Sequence, residues 1–152
     1  MSRLVIYEPT EEINVSAIDD VTHDPKFYAA TWWAPKFPNI RFIFSHGGGT
    51  VPFLLGRFER LAIERKDPWL KDGAAPQLRK FYYEIAQANH PGALDALMEL
   101  VPLSNVLFGS DYPLRPASEA VEGLTGYKPF TDAQRRAINR ENAERLVPRL
   151  KT

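Results

Sequence analysis

The chain has 152 residues, enough for one compact domain and too few for two. A closed barrel of eight strand–helix units needs about 250 residues, so at most about five such units fit. Nineteen Lys and Arg balance nineteen Asp and Glu, and cysteine is absent; this removes a net basic field for nucleic acid or an anionic membrane, together with disulfides, thiolate metal sites and cysteine nucleophiles.

In chain order, Met1–Tyr7 (MSRLVIY) is apolar but is soon interrupted by Glu8 and Pro9. It is too short for a signal peptide, and no apolar run reaches membrane-spanning length. A cytoplasmic protein with no membrane or nucleic-acid partner is the expectation. Residues 1–38 show no clear period; an acidic stretch leads into Phe27, Tyr28, Trp32 and Trp33, so the segment reads as irregular or atypical. Residues 39–150 read as the patterned domain. Ile40–Ser45 (IRFIFS) is a nearly continuous apolar run, as in a strand covered on both faces. Thr50 is placed to cap a following helix in which Leu54, Leu55, Phe58, Leu61 and Ala62 recur at spacings of three and four. Phe81–Ile85 (FYYEI) predicts a second strand. Pro91–Val101 predicts a helix with proline near its start and a stripe of Leu94, Leu97, Met98 and Val101. Asn105–Phe108 (NVLF) predicts a third strand. Thr131–Leu150 predicts a last helix, opened by the capping-box pair Thr131 and Gln134 and supported by Arg140–Glu144 and Glu141–Arg145. Most of the prolines fall between these segments and act as punctuation. Strands alternating with helices predict an α/β fold with parallel strands.

Several residues carry chemistry at the expected strand ends. His46 opens His46-Gly47-Gly48-Gly49-Thr50 where the first clear strand stops, in phase with Phe42 and Phe44 by the two-residue period. An imidazole there can ligate a metal, move a proton beside a metal-bound water, or close a tight turn. The glycines permit close backbone approach or positive φ, and their amides can meet a carboxylate or phosphate; the spacing is neither a dinucleotide fingerprint nor a P-loop. Asp111, in Phe108-Gly109-Ser110-Asp111-Tyr112-Pro113, can ligate a divalent metal, take a proton from metal-bound water, or cap the turn before Pro113. Tyr112 beside it and Arg115 on the same loop are candidates for substrate binding, by stacking and by pairing with a carboxylate. Glu84 reads as a supporting carboxylate or salt-bridge partner. His90, before Pro91, reads as a helix-start residue, and His23 lies in weakly patterned sequence. Trp32, Trp33, Tyr82 and Tyr83 can line an aromatic pocket or fill the core. Ser45 and Ser110 lie outside any GxSxG elbow, which disfavours a serine hydrolase.

In combination, FPNIRFIFSHGGGTVPFLLGRFERL (37–61), FYYEIA (81–86), NVLFGSDYPL (105–114) and INRENAERLVPRL (138–150) resemble the carboxyl-terminal part of the amidohydrolase-related family. That family includes the aminocarboxymuconate-semialdehyde and γ-resorcylate decarboxylases. The resemblance spans about residues 36–150 and implies the C-terminal portion of a (β/α)₈ TIM barrel, incomplete in this chain, with a divalent metal, zinc or manganese, at its mouth. It implies a metal-ligating role for Asp111 and acid–base or polarising work for His46, on a small-molecule carboxylic acid that loses carbon dioxide. Hydrolysis of a lactone or amide is the sister outcome. Glu84 stands where aspartate is common in the family. The family's amino-terminal HxH or ExH and its middle-strand metal histidine have no match in this sequence, whereas catalytic zinc normally has three protein ligands. The expectation is therefore a part of a metal-dependent decarboxylase or hydrolase, a chain completed by a second copy or a complementing chain, or an inactive fragment acting through assembly; the isolated chain is expected to bind metal weakly or not at all.

Overall fold

A computed structural model of the chain describes residues 3–7, 39–66, 68 and 70–151. His23, Trp32, Trp33 and most of the irregular segment lie outside the described residues. Within that segment, the apolar start forms β1 (Arg3–Tyr7), which pairs in parallel with β2 (Ile40–Phe44) in the register Val5 opposite Phe42. β2 pairs in parallel with β3 (Tyr82–Glu84), and β3 with β4 (Val106–Leu107). The sheet order is β1-β2-β3-β4. Each strand is added beside the one before it, with no reversal of direction along the sheet. That is how a barrel wall is wound, whereas a doubly wound sheet reverses at a switch point. Among the described residues β1 and β4 do not pair, so this wall is open.

Helices fill the crossovers. α1 (Val51–Arg65) and α2 (Ala75–Leu78) lie between β2 and β3, and α3 (Pro91–Leu100) lies between β3 and β4. Their apolar stripes bury Phe58, Ala62, Leu78, Leu94 and Leu97 against Phe42, Phe44, Phe81, Tyr83, Ile85 and Val106 of the sheet. The Phe81 ring meets Phe44 edge-on at 5.1 Å and Phe42 at 5.5 Å. Covering of β2 is one-sided and not two-sided as its run of apolar residues predicts: Phe42 and Phe44 are buried, Ile43 is half-buried and Arg41 is exposed. Arg41 donates from Nη1 to the Leu146 carbonyl at 3.0 Å, a cation meeting the carboxyl end of a helix.

Local signals at the helix ends fare unevenly. Thr50 occupies the position before α1 but its hydroxyl makes no capping bond; Pro52 in the first turn supplies the start signal instead. The start of α2 is held from a distance, by the Glu59 carboxylate accepting from the Ala74 and Ala75 amides at 3.0 and 2.7 Å. α4 (Ala117–Gly126) is not predicted by the sequence pattern, because only Ala120 and Leu124 are buried and no apolar stripe marks it.

The predicted last helix is present as α5 (Asp132–Arg136), one π turn (Ala137–Glu141), α6 (Asn142–Leu146) and a 3-10 turn at Pro148–Leu150. Thr131 and Gln134 form the capping box, and Arg140 pairs with Glu144. Arg145 instead bonds the Asn142 side chain, where the sequence suggested Glu141. A π turn leaves carbonyls outside the regular ladder. Here the Ile138 carbonyl accepts from Phe108 N at 3.0 Å, so the helix is tied to the residue just beyond β4. Asn142, buried to 1% exposure, donates from Nδ2 to the Leu103 and Val106 carbonyls, each at 2.7 Å. Among the described residues no helix is long and apolar enough to cross a membrane.

Candidate active site at the carboxyl ends of the strands

The strands run parallel, so the residues that follow β2, β3 and β4 gather at one edge of the sheet. Ser45 is still extended, but His46 turns to φ 53° and opens a 3-10 turn, His46–Gly48. The two-residue alternation that puts Phe42 and Phe44 on the covered face therefore stops before His46. This corrects the phase expected for it. Its ring crosses instead to the end of β3, where Nδ1 lies 2.9 Å from the Ala86 carbonyl. A carbonyl only accepts, so Nδ1 carries the proton and Nε2 is left as the acceptor of the neutral ring. The backbone amide of His46 donates to Glu84 Oε1 at 2.5 Å.

The glycine run after His46 is explained first by packing. Gly47, Gly48 and Gly49 all have positive φ, and a Cβ added to Gly48 would lie 2.7 Å from the Tyr83 ring. That ring is fully buried and its hydroxyl donates to the Leu78 carbonyl at 3.0 Å; burial pushes the Tyr83 phenol far above its ordinary range. Tyr83 thus belongs to the core, and Tyr82 on the opposite face is half-buried. The Ser45 hydroxyl is buried without a hydrogen-bond partner among the described residues.

Asp111 has φ 60° and sits beyond β4. Its Oδ2 accepts from Gln87 Nε2 at 2.6 Å. Gln87, which follows β3 and has φ 54°, was missed in the sequence. An exposed glutamine has no periodic or motif signal, and its partner lies 24 positions away. Three non-glycine residues with left-handed backbone thus stand at three successive strand ends: His46, Gln87 and Asp111. Backbone strain of this kind collects where surrounding bonds hold a side chain in a working position.

His46 and Asp111 are not bonded to each other. They are brought together through the end of β3, which holds His46 through Glu84 and Ala86 and Asp111 through Gln87. The carbonyl of Asp111 also accepts from the Leu114 and Arg115 amides at 2.8 and 3.1 Å, which winds the following loop onto it. On that loop Tyr112 is 78% exposed, and Arg115 is exposed with its guanidinium 4.0 Å from Glu119 of α4. His90 is exposed at the residue before α3.

Among the described residues, the titratable groups at these strand ends include the His46 imidazole and the carboxylates of Asp111 and Glu84. Among the described residues no group of three or more His, Asp or Glu is arranged to hold a metal ion, which leaves this rim short of the three protein ligands of a catalytic zinc site.

The chain matches the amidohydrolase family over residues 19–149. It is 33% identical over 125 residues to a 2-keto-4-carboxy-3-hexenedioate hydratase of Sphingobium, a match that covers 75% of this chain and 35% of the relative. It is 31% identical over 120 residues to a 6-methylsalicylic acid decarboxylase of Penicillium expansum, covering 76% of this chain and 37% of the relative. The chain therefore spans about a third of the length of these relatives. A crystal structure of a dihydroxybenzoic acid decarboxylase from Polaromonas, solved with bound manganese and the inhibitor 2-nitroresorcinol, superposes with a TM-score of 0.75 at 17% identity, over 97% of this chain and 50% of that one. The open parallel wall is thus the C-terminal portion of the TIM-barrel fold of these enzymes.

Proposed function

Because the chain belongs to the amidohydrolase family, we propose that it supplies the proton-transfer side of a metal-dependent carbon–carbon lyase that removes carbon dioxide from aromatic or enol-like carboxylic acids. The observation that carries this reading is the placement of His46 and Asp111 at the ends of the two strands that flank β3, each held by a bond from the end of β3. With Nδ1–H engaged by the Ala86 carbonyl, His46 exchanges protons through Nε2. In its charged form it gives that proton to the carbon bearing the carboxylate. The bond to the carboxylate carbon then breaks, its electron pair returns to the ring or enol, and carbon dioxide leaves. Asp111, bonded by Gln87 through Oδ2, keeps Oδ1 for a cation or a substrate hydroxyl. Tyr112 and Arg115, on the loop wound onto Asp111, bind the acid by stacking and by pairing with its carboxylate.

The described residues lack a full ligand set, so further donors come from other strands, from a second copy or from a complementing chain. Among the described residues β1 and β4 are the edges of the sheet, and such strands would add there. With manganese supplied, at protein concentrations that favour self-association or with a complementing chain present, the protein is expected to release carbon dioxide from 6-methylsalicylate or a dihydroxybenzoate. His46→Ala is expected to lower the rate by about 10²- to 10⁴-fold while gel filtration shows assembly unchanged. Turnover indifferent to that substitution would refute the assignment. A second reading, addition of water to an unsaturated acid, is favoured by the hydratase relative. It would appear as a hydrated product without carbon dioxide.

A further inference from the structure

The geometry points to Glu84 as the positioning residue that fixes which nitrogen of His46 carries the proton. This inference rests on the role proposed for His46 but concerns the residue that sets it. Glu84 ends β3 on the face opposite the buried Tyr83 and Ile85, and its two carboxylate oxygens are both used. Oε1 accepts from His46 N at 2.5 Å, across 38 positions of sequence, and Oε2 accepts from Ala86 N at 2.7 Å. The first bond holds the His46 backbone in its left-handed conformation. The second holds the residue whose carbonyl accepts from His46 Nδ1. One side chain therefore fixes both the origin of the imidazole and the acceptor that selects its tautomer.

The neighbouring strand is shaped around the same carboxylate. A Cβ added at Gly109, just beyond β4, would overlap the Glu84 carboxylate. Glycine at 109 is required by that close approach and not by its own backbone, since its φ is not positive. The ends of β2, β3 and β4 thus converge on Glu84. Its charge suits this place because carboxylate acceptors make the shorter and stronger bonds to backbone amides. A glutamine in its place has one acceptor for two amides, and its own NH₂ would face a donor.

The test reads the ring itself. Long-range proton–nitrogen correlation spectra at about pH 8.5, where an imidazole is neutral, distinguish Nδ1–H from Nε2–H, and His46→Gln identifies the His46 signals. The native chain is expected to show His46 chiefly as Nδ1–H. Glu84→Gln and Gly109→Ala are each expected to raise Nε2–H from the minor to the major form, with Glu84→Asp between them and the native chain. An Nε2–H majority in the native chain would overturn the inference without any variant. So would a folded Glu84→Gln protein whose Nδ1–H fraction is unchanged. Because the readout is independent of carbon dioxide release, failure here leaves the proposed reaction standing, and absence of turnover leaves this assignment standing.

Discussion

On the helix-covered face of the sheet, Phe44, Phe81 and Tyr83 keep their places by filling volume; at the carboxyl rim of the same strands, His46, Glu84 and Asp111 keep theirs by hydrogen bonds. The covered face tolerates no gap, because close-packed rings lose both transfer energy and contacts when atoms are removed. The rim is built from half-buried polar groups and left-handed backbone, so its positions depend on which donor meets which acceptor. A defect on the face should cost stability across the whole domain. A defect at the rim should change the chemistry of one ring while the fold persists.

The largest expected effect tests the face. Phe81 is 2% exposed and lies edge-on to two other rings, so Phe81→Ala is expected to destabilise the domain by about 3–5 kcal/mol. Urea unfolding measures this. Any Phe81→Ala protein that remains folded should keep the native His46 tautomer, and a changed tautomer would erase the distinction between face and rim.

A smaller loss is expected where the face and the C-terminal helix are joined by polar bonds. Asn142→Leu leaves the Leu103 and Val106 carbonyls without their donor and should cost about 2–4 kcal/mol. Urea midpoints again decide it, and a neutral result would mean that those carbonyls find other donors.

The smallest effect is expected at Tyr127, which belongs to the buried core but to no strand of the sheet. Tyr127 donates to the Asp95 carboxylate, and that bond, with burial and the nearby negative charge, raises its phenol from 10.0 to about 12. The neutral phenol is the favoured form, so the contribution of this contact is fully present below the ordinary value and is lost as pH rises through about 12. Ultraviolet titration should show late ionisation of this tyrosine, and Asp95→Asn should move it back toward the ordinary value. Because the bonds that hold His46 go to Glu84 and Ala86 and not to this pair, the substitution should leave the rim untouched.

Much of the scaffold was legible because its causes are local. β2 and α1 were read from apolar spacing, α3 from proline and its leucine stripe, and the start of α5 from Thr131 and Gln134. α4 was not, since it buries little apolar surface and so shows no stripe. Nor was β1, whose strand character lies in its pairing with β2. At the rim, His46 and Asp111 were legible as polar residues that end apolar runs, and the motifs around them carried the family resemblance. The phase of His46 was not, because a left-handed residue interrupts the strand period.

By itself, then, the sequence determined an α/β chain of parallel strands with an imidazole and a carboxylate at two of their ends, since periodicity and end signals act over a few residues. Only the tertiary structure decided what those groups meet. The bond from His46 to Glu84 spans 38 positions and that from Gln87 to Asp111 spans 24. No local preference encodes such pairs; they exist because parallel crossovers return each strand end to the same edge of the sheet.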